Sequence, residues 1–284
     1  MISSSMHKAV KPWHQLHKCT FLTSNYLRFH STTTSAVGKL LGDLRQLDTS
    51  SLCDAEKMTI SSENDDSKSR IRLMNSTIRP MNYCQHRTKS AAVMAGIART
   101  VSFTEPNDFL PLMRALALEA TTDEVLVVDT MSSTRAVAGE IFVGEARRKQ
   151  MAGIVIDGPV RDTAHLDDDH GDDSAVMRLY ATGITPYSGT LQSPGKMQAK
   201  VMCGGVLVQP GDIIMGDQDG VLVGDITTFS KLLPIAKTIQ TIEQKLIDNI
   251  ALSSEKRSLA SMTNLEEHVR QRLDGKDSTL KFQI

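Results

Sequence analysis

The stretch EVLVVDTMSSTRAVAGEIFVGEARRKQMAGIVIDGPVRD, residues Glu124–Asp162, decides the fold. It opens on EVLVVDT (Glu124–Thr130), a short β-branched run ending in an acid, the pattern of a buried strand whose carboxyl end faces a site. A second such run, GIVIDG, lies at Gly153–Gly158. The segment between them reads as a helix over roughly Thr134–Met151. Strand, helix and strand in this order make a βαβ unit with a right-handed crossover, so both strands end at the same edge of a parallel sheet.

Further elements follow outward from this unit. AAVMAGIARTVSF (Ala91–Phe103) predicts a strand centred on Ala98–Phe103, and DFLPLMRALALEA (Asp108–Ala120) places Phe109, Leu112, Met113, Leu116 and Leu118 at near-helical spacing. Downstream, short strands are expected at MRLYATG (Met177–Gly183), KVMCGGVLV (Lys200–Val208) and GVLVGD (Gly220–Asp225), separated by turn signals such as Pro210-Gly211-Asp212 and Asp219-Gly220. From Thr227 to Ser253, apolar residues recur every three or four positions, the mark of one amphipathic helix. With no helical neighbour of its own, that helix is expected to dock on the main domain or on another subunit. The polar run SSENDDSKSR (Ser61–Arg70) reads as a loop or insertion.

Composition narrows the function classes. The 284 residues are 40% hydrophobic and 23% charged, with net charge -1, which supports a folded core and gives no basic footprint for nucleic acid. No run approaches the roughly 20 apolar residues needed to cross a bilayer. The cysteines, Cys19, Cys53, Cys84 and Cys203, are widely spaced and form no CxxC pair, so neither a zinc knuckle nor a disulfide framework is indicated. Cys203 follows an apolar run and reads as a small buried hydrophobe. Residues 1–42 carry Lys8, Lys11, Lys18, Arg28 and Lys39 among many Ser and Thr, with no acid before Asp43. They read as a mitochondrial transit peptide, placing the protein in the matrix, the alternative being a disordered basic tail and a cytoplasmic protein.

The chemistry-bearing residues cluster at one edge of the expected sheet. Gly139-Glu140-Ile141-Phe142 lies near the first turn of the central helix, and Arg161-Asp162 follows the second strand. A guanidinium matches a carboxylate bidentately, while a lone carboxylate holds Mg²⁺ largely through its waters. The bland alternative is a surface Arg and Asp in an ordinary turn. The acidic run HLDDDHGDD (His165–Asp173) lacks rigid ligand spacing and reads as solvated. Asp217-Gln218-Asp219-Gly220 lacks the remaining ligands of a calcium loop and reads as a tight turn.

GEIFVGEARRKQMAGIVIDGPVRD (Gly139–Asp162), preceded by VLVVDT and followed by TGITP (Thr182–Pro186), GGVLVQPGD (Gly204–Asp212) and GDQDGVLV (Gly216–Val223), resembles the RraA-like family. That family includes the class II pyruvate aldolases that cleave 4-hydroxy-4-methyl-2-oxoglutarate and the regulator of ribonuclease E activity. The resemblance implies an α/β swivelling β/β/α domain over 43–225, followed by a C-terminal helical extension over 226–284. It implies a homotrimer or homohexamer with sites between subunits. It further implies substrate binding by the backbone amides of Gly139, Glu140, Ile141 and Phe142 and by Arg161, and metal binding, Mg²⁺ or Mn²⁺, by Asp162. Glu243 of a neighbouring subunit would complete the metal's water shell, and Glu140 would partner a water or carry a proton. The implied reaction is retro-aldol cleavage of a 4-hydroxy-2-oxo acid through a pyruvate enolate, with oxaloacetate decarboxylation through the same enolate.

The chain departs from the aldolase pattern at Thr163-Ala164-His165, where such enzymes often carry an acid. The ribonuclease-regulating branch acts through protein contacts and typically lacks the carboxylate after the arginine, so Asp162 favours an enzyme over a non-catalytic regulator. A methyltransferase would need a glycine-rich cofactor loop, which DTMSSTRAVAGE (Asp129–Glu140) does not provide. Lys149, Lys196 and Lys200 qualify for a Schiff base by residue type alone.

Overall fold

The computed structural model describes residues 36–62, 70–81, 93–166, 178–251 and 258–282, and every structural statement concerns these. Most of the expected transit peptide, residues 63–69 of the Ser61–Arg70 insertion and the acidic residues Asp167–Asp173 lie outside them, and Ser61 and Ser62 end a helix rather than open a loop.

Residues 36–44 form α1, and Thr49–Ser62 form α2. Strands β1 (Arg72–Leu73), β2 (Arg79–Pro80) and β3 (Met94–Ser102) follow. Helix α3 (Leu110–Arg114) runs into a π-helical turn at Ala115–Glu119 and leads to β4 (Glu124–Asp129), α4 (Glu140–Arg148) and β5 (Gly153–Asp157). Then come β6 (Pro159–Val160), β7 (Arg178–Ala181), β8 (Gly183–Ile184), β9 (Lys196–Met197), β10 (Val201–Cys203), β11 (Val206–Val208), β12 (Ile213–Gly216) and β13 (Val221–Gly224). Helices α5 (Ile226–Ala251) and α6 (Leu265–Leu273) close the chain.

Nine of these strands form one mixed sheet in the order β1-β13-β12-β3-β4-β5-β7-β2, with β9 paired to the end of β3. Its centre, β3-β4-β5-β7, is parallel, and the register sets Asp129 opposite Asp157. This is the α/β swivelling architecture expected from the sequence.

Successive strand residues point to opposite faces. On one face Leu126, Val128, Ile154 and Ile156 pack beneath Leu112, Leu116, Val143 and Ala146. On the other, Val125, Val127 and Val155 pack with Tyr180, Val201, Cys203 and Val208. Burial on both faces explains why EVLVVD is an unbroken apolar run rather than an alternating one. Each such fully buried side chain contributes about 1.5–3 kcal/mol relative to exposure.

Five local readings of the sequence change. The central helix is short, Glu140–Arg148, because the chain before it is extended. There Ala136 bridges to Ser188, and Asn107 takes the Thr134 and Arg135 amides. The strand expected at Lys200–Val208 is a hairpin, β10–β11, since Gly204 and Gly205 both have positive φ, 56° and 74°, and turn the chain in two residues. Strand β12 was hidden beside the Pro210-Gly211 turn signal. Strand β3 starts earlier than expected, at Met94, because its first residues pair with β12. Finally, α5 does have a helical neighbour, packing against α2.

Two polar readings hold. Cys203 is fully buried, and burial pushes its thiol well above the ordinary range. The Asp217–Gly220 segment is a turn between β12 and β13, closed by Asp217 N–H donating to Gly220 O at 3.1 Å. The Asp217 carboxylate accepts the Thr49 amide and hydroxyl at 2.8 and 2.9 Å, fixing the start of α2 rather than a cation.

Candidate functional site

The connections after β4 and β5 meet at the carboxyl edge of the parallel strands. Val137 N–H donates to Pro159 O at 3.1 Å and Arg161 N–H to Ala138 O at 3.0 Å, so segments 136–138 and 159–161 lie side by side. This pairing brings Gly139 against Arg161 and Asp162.

Gly139 is the N-cap of α4, and no side-chain hydrogen bond caps that helix start. Phe142 N–H donates to Gly139 O at 3.0 Å, so the amides of Glu140 and Ile141 are the ones facing an anion at the positive end of the helix dipole. Asp162 sits in the left-handed region at φ 59°, a conformation Asp tolerates better than most residues, and the turn folds its carboxylate back over Gly139. A β-carbon on Gly139 would lie 2.4 Å from Asp162 Oδ2 and 3.1 Å from Arg161 Cγ. Arg161 Nε stands 3.3 Å from Asp162 Oδ2, and both side chains keep about two-fifths of their surface exposed, 41% and 40%.

Around this pair lies a small open cleft of about 40 Å³, walled by Phe109, Ala136, Val137, Ala138, Ile141, Phe142 and Ser188. Phe109 and Phe142 meet edge to face, ring centroids 6.0 Å apart. The far wall is stapled by Asn107, itself at φ 62°. Its Oδ1 accepts the Thr134 and Arg135 amides at 2.8 and 2.9 Å, and its carbonyl accepts Thr190 N–H at 2.7 Å. Beside it Asp108, only 2% exposed, accepts the amides of Leu110, Gln192 and Ser193.

Of the residues singled out in the sequence, Gly139, Ile141, Phe142, Arg161 and Asp162 line one cleft, and Glu140 stands exposed in the same helical turn. Glu243 lies elsewhere in its own chain, on the exposed side of α5. Partial desolvation first, and the carboxylates of Asp48 and Asp54 second, raise its carboxyl above the usual range. Lys149 donates to the carbonyls of Ala117 and Ala120, which makes it a helix-end partner rather than a Schiff-base amine. Sequence reading missed Phe109, Asn107 and Asp108 as wall builders. Their signal was the Pro106-Asn107-Asp108 turn, hidden by its position at the head of a helical pattern.

Among the described residues, no three His, Cys, Asp or Glu side chains stand together to hold a metal ion. The cleft offers the single carboxylate of Asp162. One carboxylate fits a Mg²⁺-like ion that keeps several waters, and it does not fit zinc or calcium, which need several protein ligands.

A family model described as RraA-like, Aldolase/RraA, matches residues 49–223. A Halalkalibacterium halodurans protein with the provisional name 4-hydroxy-4-methyl-2-oxoglutarate aldolase is 32% identical over 151 residues, 53% of this chain and 65% of that protein. The chain thus covers slightly less than two thirds of that relative's own length. An uncharacterised Methanocaldococcus jannaschii protein is 26% identical over 67% of this chain and 88% of its own. Among solved structures, Streptomyces coelicolor RraAS2, described as an unusual member of the RNase ES inhibitor RraA protein family, superposes with a TM-score of 0.56. It is 25% identical and covers 73% of this chain and 95% of its own.

Proposed function

The chain belongs to the RraA-like, Aldolase/RraA family, and from that premise we propose that its cleft binds a small 2-oxo acid and cleaves it to pyruvate. The substrate would be 4-hydroxy-4-methyl-2-oxoglutarate or a related 4-hydroxy-2-oxo acid, with oxaloacetate decarboxylated at the same place. The observation carrying this reading is the Arg161–Asp162 pair held against Gly139 at the open start of α4.

In this reading the Arg161 guanidinium pairs with the substrate carboxylate. The first-turn amides of α4 stabilise negative charge as it develops on the 2-oxo oxygen. Breaking the C3–C4 bond leaves a pyruvate enolate. Loss of CO₂ from oxaloacetate leaves the same enolate, so one set of charges serves both reactions. Glu140, exposed beside these amides, would carry the proton between the 4-hydroxyl and C3 through water. Asp162 would hold a Mg²⁺ or Mn²⁺ ion, which when bound supplies Lewis acidity at the 2-oxo group. The assembly would be a homotrimer or homohexamer with Glu243 of a neighbour reaching the metal's waters, and segment 1–42 would direct the protein to the mitochondrial matrix.

The test is pyruvate release by the full chain from oxaloacetate and from 4-hydroxy-4-methyl-2-oxoglutarate, with Mg²⁺ and then with excess EDTA. EDTA should abolish turnover and Mg²⁺ restore it. Asp162→Ala should remove it while circular dichroism stays native, and Arg161→Ala should raise KM about tenfold or more, the loss of one charge-assisted pair. Wild-type kinetics in both variants would overturn the assignment.

A second reading is a non-catalytic RraA-like protein that acts by binding a protein partner. The comparisons support it better than they support catalysis. The RraAS2 likeness covers 73% of the chain, and the described residues supply one carboxylate where many metalloenzymes supply three ligands. Asp162 is the residue that favours catalysis. A folded protein that releases no pyruvate from either acid under any metal condition would favour the second reading, or an aldolase for a different keto acid, over the first.

A further inference from the structure

We infer that Arg147 is a positioning residue for the Asp162 carboxylate, holding from the far end of α4 the turn that carries it; this rests on reading Asp162 as the group that takes a divalent cation. Helix α4 meets the 161–166 turn at both of its own ends. At its start Gly139 lies against Asp162, where a β-carbon would stand 2.4 Å from Oδ2. In its last turn Arg147 reaches off the helix, and its Nη2 donates to Leu166 O, 19 positions later, at 2.5 Å. The neighbouring Arg148 stays on the helix, pairing with Glu145 at 2.7 Å.

Between these two contacts sits the short helical turn Thr163–His165, with Asp162 as its N-cap. The Asp162 carboxylate makes no capping bond to that turn, so it stays available to a ligand. Its backbone is left-handed at φ 59°, a conformation that residues other than glycine keep where their flanks hold them in it. The upstream flank is fixed by Arg161 N–H on Ala138 O at 3.0 Å. The downstream flank is fixed by the fully buried Leu166 side chain and by the Arg147 bond to its carbonyl. Burial of the side chain sets where the turn ends, and the guanidinium sets which way its last carbonyl faces. A charge-assisted bond of this kind is among the stronger single contacts a side chain makes. Without it the turn relaxes toward right-handed backbone and carries the carboxylate off the start of α4.

Mn²⁺ titrations of the full chain, followed by electron paramagnetic resonance, test this, with Asp162→Ala as the blank for ions held elsewhere. Arg147→Met should weaken the Asp162-dependent binding about tenfold, the loss of one charge-assisted hydrogen bond. Arg147→Lys still donates to the carbonyl and should recover most of that affinity. Arg148→Met removes the same charge without touching the turn and should bind as the native chain does. Hydrogen exchange of the 160–166 amides in EDTA reads the tether with no metal present, and it should quicken about fivefold in Arg147→Met and stay native in Arg148→Met. Native Mn²⁺ affinity in Arg147→Met, or an equal loss in Arg148→Met, overturns the inference. A native chain with no Asp162-dependent Mn²⁺ binding overturns the metal reading instead; faster exchange in Arg147→Met then leaves the tether standing, and unchanged exchange removes both.

Discussion

Gly139 and Asp162 approach so closely that a single methyl on the glycine would lie 2.4 Å from the Asp162 carboxylate oxygen. Gly139 itself is extended, at φ -164°, so its backbone conformation is open to any residue and the constraint is purely one of space. Gly139→Ala must therefore push the carboxylate and the Arg161 stem out of the cleft. Pyruvate release should fall more than tenfold, while stability drops by less than about 1 kcal/mol, because what gives way is the end of a side chain that is two-fifths exposed. Kinetics beside a urea titration check this; full activity in the variant would show that the carboxylate's position over the helix start does not matter.

Asn107 joins two walls of the cleft with one side-chain oxygen while its own backbone is left-handed. Asn107→Ala removes the acceptor of two amides and puts a less tolerant residue at φ 62°, for a combined cost of about 2 kcal/mol. Asn107→Gly relieves the backbone term and keeps the lost hydrogen bonds, so it should fall roughly 1 kcal/mol short of the alanine variant's loss. Denaturation midpoints of the pair separate the two contributions.

The Cys203 thiol is raised chiefly by burial and then by the nearby Asp157 and Asp129 carboxylates. Its reactive thiolate is thus scarce at pH 8.5 as long as the chain is folded. Iodoacetamide followed by peptide mass mapping should leave Cys203 unmodified in native protein and modified in urea. Rapid labelling of the native chain would mean that the β10–β11 hairpin opens on its own.

For Glu243 the folded carboxyl lies above its unfolded value, so the folded state binds its proton more tightly. That contribution is fully present at pH below the unfolded range and disappears as pH rises through the raised folded value. Glu243→Gln removes an unfavourable anion, and its melting temperature at pH 7 should equal or exceed the native one, the gap closing toward pH 4. If Glu243 also reaches a neighbour's metal waters, the same variant loses turnover while gaining stability. Unchanged turnover would confine Glu243 to its own α2–α5 surface.

The parallel centre of the sheet was legible because β4 and β5 are buried on both faces, so each reads as a short apolar run, rich in β-branched residues, between turn signals. Arg161 and Asp162 were legible for a related reason, being polar residues directly after a buried strand. The start of α4 was placed well and its upstream neighbour was not. Residues 134–138 have the composition of a helix, yet Asn107 takes the amides of Thr134 and Arg135 while Ala136, Val137 and Ala138 pair with the backbone of crossing segments, a tertiary choice that no local pattern announces. The β10–β11 hairpin was missed although Gly204-Gly205 marked it, because flanking valines read as one continuous strand. Phe142 was expected at the site through its backbone amide, but the apolar wall it forms with Phe109 was not, since Phe109 looks like an ordinary helix-core residue until the rings meet.

The Thr49 amide and hydroxyl rest on a carboxylate 168 positions later in the chain. Strand β3 likewise has β4 close behind it, but its other flank waits for β12, and β1 waits for β13. A nascent chain emerging from a ribosome therefore carries α2, β1 and one open side of its central strand with no native partner until translation has passed Gly224. Pairings of such long sequence separation are slow to form and leave sheet edges uncovered meanwhile. The last quarter of the polypeptide thus closes what the first quarter began, and a product truncated before β12 keeps the site residues while lacking the strands that hold their sheet together.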